Sequence, residues 1–106
     1  MNDQIKAFEA MLARGQDSEM LRLTLGNAYF SQEDFAKAVE HFTRATELKP
    51  DYSAAWKMLG RSLLADGQHA SAVTVFDQAT LIAAQNGDKQ AEKEIAVFRK
   101  RALKAI

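Results

Sequence analysis

The side chains able to do chemistry are few and widely scattered. His41 and His69 are the sole histidines, 28 residues apart, and neither has a cysteine, histidine or acid at ligand spacing facing a shared pocket. Both read as surface or boundary residues. Asp34, Asp66 and Asp88 sit at helix starts or turns, where a carboxylate caps free backbone N–H groups. The absence of cysteine removes thiolate metal sites, disulfides and a cysteine nucleophile together. No phosphate loop, nucleophile elbow or carboxylate pair is present. Nothing here builds a catalytic centre, so no enzyme activity, cofactor or metal is expected.

Charged residues suggest binding instead. Formal net charge is zero, yet residues 88–106 hold six basic side chains against three acidic ones, a local +3 that leaves −3 on the remainder. The run Arg99-Lys100-Arg101 with Lys104 could meet phosphates, but Ala91, Ile95, Phe98, Ala102, Leu103 and Ile106 form an apolar stripe on the same helix. A solvated outer face explains the charges, and nucleic acid is not the expected partner. Met1-Asn2-Asp3-Gln4 is polar, with no leader behind it, and no apolar run approaches the ~20 residues that span a bilayer. A cytoplasmic protein without a membrane partner is expected.

The elements that position these residues emerge from an internal period. Phe8, Phe42 and Phe76 lie 34 residues apart. The same interval separates Leu25 from Leu59, Gly26 from Gly60, Ala38 from Ala72 and Ala45 from Ala79. Five classes of residue in one register define a repeat. Within each copy, Arg22, Leu25, Gly26 and Tyr29, or Trp56, Leu59, Gly60 and Leu63, share one face at helical spacing. Glycine costs a helix ~1 kcal/mol relative to alanine, so Gly26 and Gly60 need a packing reason. Close approach of a second helix, opposite small Ala38 and Ala72, supplies one. Ser31–Asp34 and Asp66-Gly67-Gln68 provide turns, Pro50 ends a helix, and Asp51 and Ser53 stand ready to cap the next.

Residues 19–52 carry Leu25-Gly26-x-x-Tyr29, Ala38-x-x-x-Phe42, Ala45 and Pro50; residues 53–86 carry Trp56-x-x-Leu59-Gly60, Ala72-x-x-x-Phe76 and Ala79. Both segments resemble the tetratricopeptide repeat, W-x2-L-G-x2-Y…A-x3-F…P. They depart from it at Arg22 for the Trp, Leu63 for the Tyr and Ala84 for the Pro. The resemblance implies an all-α fold, a right-handed solenoid of about six helices in a single domain. Residues 2–14 read as a degenerate half repeat and 88–106 as a C-terminal capping helix. Trp56 then belongs to packing and is no ligand platform.

The resemblance further implies that the first helix of each repeat lines a concave surface holding a partner. The residues left for that surface are Met20, Leu23, Asn27 and Phe30 on one helix and Ala54, Lys57, Arg61 and Leu64 on the next. This groove is apolar on one side, cationic on the other and free of acid. It suits a protein or peptide segment with apolar anchors and an acidic group, such as a C-terminal carboxylate held by Arg61. The carboxylate clamp of chaperone-tail-binding members is not matched. Asn27 fits, but Leu23 replaces its lysine, Met58 stands at the second asparagine and a third repeat is missing. An adaptor is expected, as a monomer or weak homodimer. The alternative is a self-association module, in which a second chain supplies the partner helix that segment 2–14 lacks.

Overall fold

The computed structural model describes residues 3–106, so Met1 and Asn2 of the expected half repeat lie outside the described residues. Six α-helices follow one another there: α1 Asp3–Ala13, α2 Glu19–Ser31, α3 Phe35–Leu48, α4 Ser53–Ala65, α5 His69–Gln85 and α6 Lys89–Ala105. Local chemistry sets their starts. The Ser18 hydroxyl accepts from the Leu21 N–H at 3.1 Å, and the Asp34 and Asp88 carboxylates accept from Lys37 and Ala91. Two expected caps are corrected. Helix α4 starts at Tyr52 with no side-chain cap, because neither Asp51 nor Ser53 turns onto its N-terminus. Asp66 closes α4 at its C-terminal end, and its carboxylate takes the Gln68 amide at 2.7 Å.

The helices pair as hairpins, α2 with α3 and α4 with α5, and the hairpins stack with α6 on α5. Leu25, Ala38, Phe42, Ala45, Ala55, Leu59, Ala72, Phe76, Ala79 and Ile95 form the core, at most 5% exposed. Each buried phenylalanine contributes about 1.5–3 kcal/mol. The close approach at the glycines is confirmed, with a different partner from the one expected. A β-carbon on Gly26 would lie 2.5 Å from the Phe42 ring, and one on Gly60 would collide with Phe76. The small residues Ala38 and Ala72 admit the neighbouring helix; the rings fill the glycine notch.

Along the stack, α2 packs beside α4 and α4 beside α6, whereas the backbones of α3 and α5 nowhere come within 8 Å of each other. The stack therefore curves toward its first helices, and α2, α4 and α6 form the inner face. This is the helical-hairpin solenoid read from the repeat. Helix α5 has 17 residues where α3 has 14, so α6 enters late. Ala91 and Ile95 take the buried places of Ala55 and Leu59, 36 residues on. Leu103 and Ile106 do not join the apolar stripe as expected: they are 46% and 73% exposed, because α6 runs past the helices beneath it. No helix among the described residues is long and apolar enough to cross a membrane.

Candidate functional site

The inner face gathers some of the expected groove residues and disperses others. Phe30, Arg61 and Leu64 meet, with Ala65, around a pocket of about 260 Å³. Its far wall comes from α6, as Phe98 and Arg101. The Arg61 guanidinium lies 5.1 Å from the Phe30 ring centre and 4.5 Å from that of Phe98, and Arg101 lies 5.2 Å from Phe98. Rings and cations thus alternate across three helices. Cation–π contacts hold a guanidinium in place without cancelling its charge. Among the described residues no carboxylate pairs with Arg61 or Arg101; Arg61 donates only to the Met58 thioether at 3.6 Å.

Lys57 differs. Its Nζ donates to Glu94 Oε1 at 3.3 Å, so the inner face carries an acid that the sequence reading left out. Leu23 is partly buried against the core, Asn27 is exposed and Ala54 is half-buried. Met20, 70% exposed, sits apart from the Arg61 pocket, beside Phe8, Met11, Ser18, Leu21 and Thr24. Phe98, Arg101 and Glu94 were missed because α6 was read as a cap. Their spacing along α6, with Phe98 and Arg101 three apart, was the available signal.

A second polar cluster joins α1, α2 and α3. His41 is buried rather than a surface residue, at 7% exposure, and stacks parallel to Tyr29 at 5.4 Å. Arg22 clasps Asp17 through two bonds of 2.8 and 3.1 Å and sends a third N–H to His41 Nδ1 at 3.1 Å. Arginine only donates, so Nδ1 accepts and the imidazole proton sits on Nε2, 3.3 Å from Glu9 Oε1. Burial pushes the His41 pKa down, against the pull of Glu9. Tyr29 donates to the same Glu9 oxygen at 3.2 Å, and burial, with Glu9, pushes its hydroxyl pKa up. The Arg22 bonds hold the Asp17 carboxyl below its usual range. Every polar group here is engaged, and the cluster fastens α1 to the first hairpin. In the other repeat Trp56 stands in register with Arg22 and donates instead to the Pro50 carbonyl at 2.8 Å. Among the described residues no group of three or more His, Asp or Glu side chains is placed to hold a metal ion.

Comparison with known proteins agrees with this geometry. A family model described as tetratricopeptide repeat matches residues 23–91. The chain is 46% identical over 94 residues to TPR repeat-containing protein PA0015 of Pseudomonas aeruginosa, covering 89% of this chain and 90% of that one. The solution structure of protein BPP2914 from Bordetella parapertussis is 38% identical and superposes with a TM-score of 0.84, over 98% of this chain and 90% of that one. The TPR2B domain of yeast Sti1, solved as a complex with pHsp70, reaches a TM-score of 0.88 at 20% identity, over 96% and 82% of the two chains, a likeness of fold alone. With its rings seated on glycines at the repeat interval and its sequence matched across both hairpins, this chain belongs to the tetratricopeptide repeat family.

Proposed function

We propose that the chain is an adaptor that binds a segment of a partner protein along the inner face of α2, α4 and α6. A tetratricopeptide fold is a protein-interaction scaffold, and the structural likeness to a domain solved with pHsp70 supports a peptide-like guest. One observation carries the finer reading: two arginines, Arg61 and Arg101, are held by aromatic rings at a pocket mouth and are unpaired with acid among the described residues. Such a site takes a carboxylate, either an acidic side chain or a chain terminus, while Phe30, Leu64 and Phe98 accept an adjacent apolar side chain. Lys57, engaged by Glu94, joins only if that pair opens. The proposal keeps the adaptor in the cytoplasm, a placement that rests on the sequence.

The test is direct binding of short peptides ending in an apolar residue, each with a free or an amidated C-terminus, to the wild type and to an Arg61→Ala/Arg101→Ala double variant. The free acid should bind more tightly, and the double variant should weaken it by roughly tenfold or more, the scale of a lost charge-assisted contact. Equal affinity for all four combinations would remove the arginines from the reading.

Self-association is the second reading. The observation favouring it is the open flank of α1, where Phe8 and Met11 border a pocket of about 350 Å³.

A further inference from the structure

The two ends of the stack are open in complementary ways. At one end, Asp77, Thr80 and Leu81 of α5 and Glu92, Ala96 and Arg99 of α6 line a depression of about 500 Å³, with Leu81 58% exposed. Counting back 36 places sets Glu92, Ala96 and Arg99 on Trp56, Gly60 and Leu63, the strip of α4 that receives Phe76 of α5. The depression is thus shaped as the seat of a second helix. Ala96 stands where the notch glycine stands in α4.

The other end shows the reverse. Phe8 is the ring of a second helix, in register with Phe42 and Phe76. Ala7 is in register with His41, which α2 buries, yet Ala7 is exposed. The pocket beside Phe8 and Met11 maps, 34 residues on, to the seam of α3 and α4 that α2 covers. It is shaped as the seat of a first helix. One end offers a first helix with an empty seat, and the other offers a second helix with the matching ring.

We propose that copies of this chain join head to tail, with α1 of one copy entering the α5–α6 depression of another so that Phe8 lies on Ala96. A single contact then fills both seats, since α6 also enters the pocket beside Phe8. Charge favours unlike ends: residues 88–106 carry +3 and the remainder −3, so two α6 ends repel. The Ala96 methyl group holds the incoming ring farther off than Gly26 or Gly60 does, which makes the junction weaker than the internal ones and reversible. Because the joined surfaces differ, association does not stop at two. This develops the self-association reading by naming the surfaces and their polarity.

Light scattering across a concentration series tests it with three proteins: wild type, Ala7→Arg and Ala96→Arg, both substitutions at exposed positions. The wild-type mass should climb beyond two chains. Each variant should stay at the 11.8 kDa of one chain. Their equimolar mixture should form a dimer, since each variant retains one open end. A variant that still self-associates alone, or a wild-type mass that halts at two, overturns the head-to-tail arrangement while leaving self-association standing. A wild type that stays monomeric at millimolar concentration overturns both. Should circular dichroism show lost helix in Ala96→Arg, Leu103→Asp on the same strip replaces it. Arg61→Ala/Arg101→Ala should leave the mass curve unchanged, which separates this junction from the inner face.

Discussion

The ring of Phe76 occupies the space that a β-carbon on Gly60 would need. Phe76 is fully buried, so it cannot swing aside without opening the core. Gly60→Ala therefore sets a helix-propensity gain of ~1 kcal/mol against an overpacking cost of about 1–3 kcal/mol. A net loss near 1 kcal/mol is expected, lowering the thermal midpoint by roughly 4–8 °C. A raised midpoint would mean that the ring yields cheaply.

Glu33 and Gly67 occupy the same place in successive repeats, after the first helix of each hairpin. Both take left-handed backbone, at φ 62° and +80°. A side chain there costs ~1–2 kcal/mol that glycine avoids, partly offset by glycine's freer unfolded chain. Glu33→Gly should raise stability by about 0.5–1 kcal/mol, read from denaturant midpoints. No gain would show that the exposed Glu33 carboxylate contributes something its neighbours do not reveal.

His41 makes the first hairpin sensitive to acid. Its folded-state pKa is lowered, so the unfolded chain binds the proton more readily. The stabilisation is complete above about pH 6.5 and is lost as pH falls from there through the folded value. Asp17 is also lowered, but its contribution disappears only in the carboxylate range below. Unfolding free energy should therefore be lower at pH 5.5 than at 7.5, and His41→Gln should flatten that difference. Greater stability at 5.5 would mean that the pair of Glu9 with a charged imidazole outweighs burial.

Glu94 competes with any acidic guest for Lys57. The pair is part-exposed and worth less than about 1 kcal/mol, so Glu94→Gln should barely change stability. Affinity for acidic peptides should rise several-fold. An unchanged affinity would place the guest away from Lys57.

Much of this architecture was legible because a repeat writes the same contact more than once. Phe8, Phe42 and Phe76, with Leu25-Gly26 and Leu59-Gly60, announce hairpins before any coordinate is known. The inner face was less legible. Spacing says which residues share a side of one helix, but not how the next helix is turned against it. The longer α5 shifts α6 from the 34-residue register to 36, which hid Phe98 and Arg101 from a reading by repeat position. His41 misled for a related reason. It is buried by Arg22, which stands where the other repeat has Trp56, and a paired departure of this kind shows only once the two side chains are seen bonded.

Because α3 and α5 keep their backbones apart while α2, α4 and α6 stay in touch, the outer side has room that the inner side lacks. Bending about that inner spine is the molecule's softest deformation, since it widens a gap and breaks no packed contact. The trough can tighten or relax around its occupant as a shallow spring, with its radius set by what it holds.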